Sequence, residues 1–337
     1  MDSEEPVAHD YMYDPDNITD PGFCAKETVA KVGSIAVPLF FSIVVLLSLA
    51  GNILVLVILG LYETLRSLTN IFILNLAVSD LMFTLGLPFW ACQFIWGWTF
   101  GHAGCKGVNF VFSAGYYSSI VFLVLMTIQR YIAVVHPLSD WERGQRFEVV
   151  PILAWLVSFA AAVPAVLYPE VMADPGDPGM LYCVFNSTKT KFNATYLQNI
   201  FFIVAFVVMD FCYIRILQTV LKCRKNKRHR TIRLIFCLVA VFFVGWAPYN
   251  IVIFLQTLTE HQIVTDCNVS TYLDYALYVC ELLAFSHCCL NPVFYVFVGV
   301  KFRNHLKMIL RTIFQRPSNT EPHRPRVTTI QSQGSMY

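Results

Sequence analysis

Seven long apolar runs, separated by short polar segments, set the pattern of this chain. Residues 32–62, 107–129, 149–169 and 234–259 contain no Lys, Arg, Asp or Glu, and residues 67–105, 192–214 and 275–300 contain one acid each. Every run reaches the roughly 20 residues that carry an α-helix across a bilayer, where backbone amides find no water and must pair within the segment. The runs are apolar all round and too long for the alternating strands of about ten residues that build a membrane barrel, so a barrel is excluded. The pattern predicts an all-α membrane protein, a seven-transmembrane helix bundle over 33–300 behind an N-terminal tail of residues 1–32. A short amphipathic helix eight follows over 301–315. In it Phe302, Leu306, Ile309, Leu310, Ile313 and Phe314 share a lipid-facing side, with Lys301, Arg303, Lys307 and Arg311 toward head groups. Residues 316–337 are polar and read as a disordered tail. Pro88, Pro164, Pro248 and Pro292 fall inside runs. A proline removes a helical hydrogen bond, so spans two, four, six and seven are expected to bend.

Charge sorts the connecting segments into two sets. One set holds nineteen basic residues and five acids, the other five basic residues and fourteen acids. The positive-inside rule puts the basic set in the cytosol, and so predicts an extracellular N-terminus and a cytoplasmic C-terminus. Four glycosylation triplets, at Asn17, Asn186, Asn193 and Asn268, all fall in the other set, as acceptors reached by a luminal enzyme must. The first 31 residues carry eight acids and no apolar stretch, so the first span is expected to act as its own targeting signal. No Cys follows Cys289, which leaves no palmitoyl anchor after the last span. The basic stretch from Lys222 to Arg230 is accounted for by stop-transfer charge and attraction to anionic lipid.

Residues 1–20 contain seven acids and no Lys or Arg, a composition that cannot fold alone but can steer and wrap a cationic partner. Within it Tyr11 and Tyr13 lie among Asp10 and Asp14, the setting of sulfation sites, where fixed negative charge would sit on an aromatic stem.

Of eleven cysteines only those on the oxidising side can form structural disulfides. Cys24, Cys105, Cys183 and Cys267 allow three pairings. The loop 170–191 must fold back over the bundle, so Cys105 with Cys183 would pin it, leaving Cys24 with Cys267 to tie the tail to the last outer loop. Cys92 is a competitor, although a buried thiol accounts for it. The remaining cysteines read as reduced packing residues. His287, Cys288 and Cys289 are neighbours on one helix and cannot converge on a metal. No span holds a lysine for a retinal Schiff base, no repeat relates the two halves as in transporters, and no nucleophile–base pair can be placed on facing helices. An enzyme is not expected, nor a nucleic-acid partner.

Several motifs then coincide: Gly51-Asn52 in span one, Asn75 to Asp80 in span two, Arg130-Tyr131 closing span three, Trp155 in span four, Trp246-Ala-Pro248 in span six and Asn291-Pro-Val-Phe-Tyr295 in span seven. In this order they resemble the rhodopsin-class G-protein-coupled receptors over about residues 33–314. Leu87-Pro-Phe-Trp90, the stretch Phe285 to Pro292, the extra Cys24/Cys267 pair and the acidic tyrosine-bearing tail are similar to chemokine receptors. Trp96-Gly-Trp98, Arg228 to Thr231 and Val298 to Arg303 resemble the lymphotactin, or XC-type, branch.

The resemblance implies a plasma-membrane receptor that binds a basic chemokine and drives chemotactic signalling through a heterotrimeric G protein of the inhibitory type. A scavenger that binds chemokine without coupling is the rival reading. Arg130, Tyr131, Trp246, Pro248 and Tyr295 would carry activation and coupling. Asp80, Ser119 and Asn291 would form an allosteric sodium site; no other cofactor is expected. Glu281 lies ten residues before Asn291, about 15 Å up the helix. At that depth its carboxylate can meet a cationic group on a ligand's flexible end, with Trp90, Tyr116 and Tyr117 around it, and Tyr11, Tyr13 and Asp14 touching the ligand outside. Ser and Thr in the C-terminal tail are candidate phosphosites for a receptor kinase, whose product would attract arrestin. The chain departs from its relatives at Gln129, where Asp usually precedes the Arg-Tyr pair, so Arg130 is expected to be held less tightly. It departs also at Ala205 and Gly86, where helix geometry is expected to differ.

Overall fold

The computed structural model describes residues 27–63, 67–136, 149–173, 179–222, 229–261, 263, 266–298 and 300–314. Tyr11, Tyr13, Asp14, Asn17, Cys24 and the C-terminal phosphosites lie outside these residues. Long helices occupy the apolar runs: α1 (Glu27–Tyr62), α2 (Leu68–Trp96), α3 (Gly101–Val135), α4 (Val149–Ala162), α6 (Thr188–Lys222) and α7 (His229–Glu260). The last run is split into α8 (Cys267–Phe285) and α9 (His287–Val298), and α10 (Val300–Phe314) follows as the amphipathic helix eight. Among the described residues six helices are long and apolar enough to cross a membrane, and α4, continued by the short α5 (Pro164–Leu167), makes the seventh.

The bundle is inside-out relative to a soluble protein in what it leaves bare. Ile35, Leu39, Leu46, Ile152, Leu156, Ile200, Val207 and Val244 are all exposed, a band of apolar side chains suited to lipid and far larger than soluble surfaces carry. Polar side chains turn inward instead: Ser48, Asn52, Ser79, Asp80, Thr84, Ser119 and Asn291 are buried.

Proline chemistry explains where the helices break. Pro164 has no amide hydrogen to continue α4, and the chain turns at Val163 before α5 begins with that proline in its first turn. Pro292 cannot donate to the carbonyl of Cys288 four residues back, and the Asn52 side chain of α1 donates to that carbonyl at 2.8 Å instead. The break between α8 and α9 falls at Ser286, upstream of Pro292, so the discontinuity in span seven precedes the proline itself. Pro88 and Pro248 sit within α2 and α7, and Pro38, not anticipated as a bend, sits within α1.

Small residues set how closely helices approach. A Cβ on Gly115 of α3 would fall 2.5 Å from the Phe83 amide nitrogen of α2, and one on Gly51 of α1 would fall 2.9 Å from the Pro292 ring. Gly86, the departure in span two, makes room for the Phe112 ring, 2.9 Å from where its Cβ would be.

A feature not anticipated from sequence covers one end. The segment after α5 forms an antiparallel hairpin, β1 (Pro169–Ala173) with β2 (Leu181–Phe185), in which Val171 faces Cys183. A disulfide joins Cys183 to Cys105 at the start of α3, with Cα atoms 5.6 Å apart. Two further contacts hold the hairpin: the Cys183 amide donates to Gln93 Oε1 at 2.8 Å, and the Trp98 amide donates to the Leu181 carbonyl at 2.6 Å. Cys267 is also disulfide-bonded, while its expected partner Cys24 lies outside the described residues. Cys92 is a free thiol.

Candidate functional site

Two buried polar regions lie along the bundle axis, joined by a column of aromatic rings. The deeper one centres on Asp80, fully buried on α2. Ser119 of α3 donates to Asp80 Oδ1 at 3.2 Å and Asn291 of α9 donates to Oδ2 at 2.7 Å, so the three residues expected to share a site meet around one carboxylate. Behind them a relay runs outward: Thr84 donates to the Asp80 carbonyl at 2.6 Å, and its hydroxyl also meets that of Ser48 at 2.6 Å. Each helix thus satisfies its neighbour's polar groups where no water is supplied, the condition for burying them at all.

His287 joins this cluster without having been anticipated there. Its Nδ1 lies 2.8 Å from the Ala284 carbonyl oxygen, which can only accept, so Nδ1 carries the proton and Nε2 of the neutral ring offers a lone pair. Nε2 has no hydrogen-bond partner and stands 3.7 Å from Asp80 Oδ1. That distance is too long for a hydrogen bond. The oxygen atoms gathered by Asp80, Ser119 and Asn291 are donors of the kind a small hard cation takes, and these three residues would hold it with His287 beside them. Such an ion would supply positive charge to a carboxylate otherwise surrounded by neutral groups. The sequence signal for His287 was its place four residues before Asn291, on the same helix face.

Trp246 of α7 separates this cluster from the outer cavity. Its ring centroid lies 4.4 Å from Tyr116, 5.2 Å from His287, 5.9 Å from Phe285 and 6.0 Å from Phe83, and the side chain is almost wholly buried. Tyr116, Trp246 and His287 are thus in continuous ring contact between the two regions. Tyr116 and Tyr117 are buried on α3, Tyr117 against Phe201 at 4.9 Å. Asn250 and Gln198 face the Tyr116 hydroxyl. Trp90 is half-buried against Phe112 at 6.2 Å and Trp98 at 6.4 Å.

Glu281 lies above this column on α8, half-buried, with Tyr249 and Tyr278 within its electrostatic reach. Among the described residues it has neither an ion-pair partner nor a hydrogen bond. Tyr278, one turn before it, lines a cavity of about 650 Å³ together with Lys31, Ser34, Gln93, Phe94, Ile95, Met180 and Tyr182. Trp90, Tyr116, Tyr117 and Glu281 do not line that cavity themselves; Tyr278 links the two regions. Neither Gln93 nor Tyr182 was singled out in the sequence, because each gains its place only when the hairpin folds over the helix ends.

At the opposite end Arg130 donates to the Thr69 hydroxyl of α2 at 2.7 Å, and that hydroxyl lies 3.3 Å from Gln129 Oε1. The Arg130 side chain is thus joined to α2, with Gln129 on the same hydroxyl. Tyr131 meets His136 at 3.2 Å. The backbone of Tyr295 lies in α9, Asn186, Asn193 and Asn268 are exposed, and Asn193 and Asn268 sit on helices α6 and α8. Among the described residues no group of His, Cys, Asp and Glu side chains forms a transition-metal cluster.

Residues 51–295 match the family model of the 7 transmembrane receptor (rhodopsin family). Chemokine XC receptor 1 of Homo sapiens is 44% identical over 87% of this chain and 88% of its own length, and its Mus musculus counterpart is 42% identical over 91% and 93%. C-C chemokine receptor type 4 of Homo sapiens is 37% identical over 90% of this chain and 84% of its own. The motif order, the helical bundle and these similarities agree: the chain belongs to the chemokine receptors of the rhodopsin family, multi-pass membrane proteins, and it is more similar to the XC-type relatives than to the C-C type 4 relative.

Proposed function

We propose that this receptor binds a basic chemokine at its extracellular face and, when occupied, activates a heterotrimeric G protein of the inhibitory type. The observation that carries the reading is Glu281: a carboxylate within a membrane-spanning helix, ringed by tyrosines and without a partner among the described residues. Charges at such depth are costly and mark function. A cationic group on the ligand's flexible end supplies the missing partner. The acidic tail, with sulfated Tyr11 and Tyr13 beside Asp14, captures the body of the chemokine first and raises its encounter rate. This requires the N-terminus outside, the orientation that the distribution of Lys and Arg supports, with Asn17, Asn186, Asn193 and Asn268 carrying glycans on that face. The Cys24–Cys267 disulfide then keeps the tail close to the cavity mouth.

Pressure on Tyr116 and Trp246 is passed to the Asp80 cluster, where Asp80, Ser119 and Asn291 would hold an allosteric sodium ion that would supply positive charge to the resting arrangement. Bending at Pro248 lets span six swing outward, which frees Arg130, Tyr131 and Tyr295 for the G protein. The ligand shifts the population only as far as its differential affinity for the two states allows. Phosphorylation of the C-terminal tail by a receptor kinase then recruits arrestin, while helix eight rests on the inner lipid surface.

The test is a panel of chemokines applied to intact cells, with binding and inhibition of cyclic AMP measured together on the native receptor, on Glu281→Gln and on the double change Tyr11→Phe, Tyr13→Phe. One chemokine should bind and lower cyclic AMP, with both effects weakened in the variants. Identical binding to all three forms overturns the contact residues. Internalisation without nucleotide exchange would assign a scavenger instead.

A further inference from the structure

We propose that the cavity between α1, α2, α8 and the hairpin is a binding site for a small organic anion, one carboxylate on an aromatic body, which Lys31 and Gln93 recognise. The site stands apart from the ligand assigned to Glu281 and asks for the opposite charge. Its volume of about 650 Å³ falls within the ~300–1,000 Å³ of small-molecule pockets. Lys31 of α1 lines it and has no ion-pair partner among the described residues. Gln93 of α2 accepts from the Cys183 amide through Oε1 at 2.8 Å, which fixes the two ends of its side-chain amide. The NH2 end is left over, and no described residue accepts from it. The Ser34 hydroxyl is already committed as a donor, to the Lys31 carbonyl at 3.0 Å. Among the described residues no Asp or Glu lines the cavity.

The rest of the wall is apolar and suits a flat ring. Phe94 and Tyr278 meet edge to face at 6.1 Å, with Ile95 and Met180 beside them. A Cβ on Gly33 would fall 2.7 Å from the Tyr278 ring, so this glycine lets the ring stand against α1. Two uncommitted donors, one of them a full positive charge, next to aromatic surface and without a carboxylate, select an anion. A neutral molecule of the same shape keeps the ring contacts and loses the charge-assisted bond, and a cation meets repulsion from Lys31.

The full-length receptor in lipid nanodiscs is titrated with para-trifluoromethylbenzoate, and binding is read from fluorine NMR line broadening. The neutral para-trifluoromethylbenzamide and the cationic para-trifluoromethylbenzylamine are titrated in parallel. The benzoate should bind the native receptor about threefold or more tighter than the benzamide. Lys31→Gln should weaken the benzoate about three- to tenfold and leave the benzamide unchanged, the loss of one charge-assisted hydrogen bond discounted for the exposure of the lysine. Gln93→Glu keeps an acceptor for the Cys183 amide and puts negative charge where the NH2 stood, so it should remove benzoate binding and favour the benzylamine. The melting temperature of each variant checks its fold. Equal affinity of benzoate and benzamide for the native receptor, or native benzoate affinity in Lys31→Gln and Gln93→Glu, would overturn the proposal. Should a variant fail to melt cooperatively, the benzoate and benzamide affinities of the native receptor decide.

Discussion

Asp80 and Glu281 are each the only charged residue in their apolar runs, yet the bundle treats them in opposite ways. Asp80 is fully buried and accepts hydrogen bonds from α3 and α9, with a histidine alongside. Glu281 is half-buried among tyrosines and takes no hydrogen bond from any described residue. An acid whose donors come from neighbouring helices ties those helices together. An acid left without donors keeps its capacity to pair with a cation. The difference shows how two carboxylates, placed at two depths of one bundle, are given different surroundings, and under the proposed function the second serves recognition.

The largest test of this contrast is at Glu281. Glu281→Gln keeps shape and removes charge; chemokine affinity should fall about tenfold to a hundredfold, the range of a lost charge-assisted hydrogen bond of ~1.5–3 kcal/mol. Thermal stability in detergent should be unchanged, since no internal partner is lost, and a large drop in stability would place Glu281 with Asp80 as a structural acid. Asn52→Ala tests the other side of the contrast. It removes the nearer donor to the Cys288 carbonyl and leaves only the Ser48 hydroxyl at 3.4 Å, so scanning fluorimetry should report a destabilisation of about 1–3 kcal/mol while ligand affinity stays within a few-fold. Asp80→Asn should abolish any sodium dependence of ligand affinity and of melting temperature, an effect of a few-fold in affinity in the native receptor; Glu281→Gln should retain that dependence. The smallest effect belongs to the outer acids: raising ionic strength from 0.05 to 0.5 M should slow chemokine association several-fold and leave dissociation nearly constant, because screening acts on encounter between exposed charges. A change confined to dissociation would mean that the acidic tail acts by contact rather than by steering.

Much of the fold was legible because a membrane imposes a one-dimensional rule. A run of about 20 apolar residues has to be a helix, whatever its neighbours do. The Cys105–Cys183 link was also readable, since a loop that must return across the helix ends leaves few partners. Less could be read where a residue's role depends on a second helix. His287 resembled packing until its ring was seen beside Asp80. Thr69 carried no signal, because its partners are 60 and 61 residues away in sequence. At Gln129 only the missing acid could be read, and the Thr69 hydroxyl that both Arg130 and Gln129 meet lies on another span. The hairpin over 169–185 was hidden by its shortness and by the expectation that a loop between helices has no structure of its own.

Span number, the acidic and basic faces and the positions of the three acids within the runs are properties of the chain alone, because hydrophobic length and charge are local quantities. Which carboxylate is satisfied and which is left open was decided only by tertiary packing. The donors that make the difference come from α3 and α9 for Asp80, and no described helix presents one to Glu281. A hydrogen bond needs atoms within about 3 Å, and only the folded bundle brings residues so distant in sequence that close.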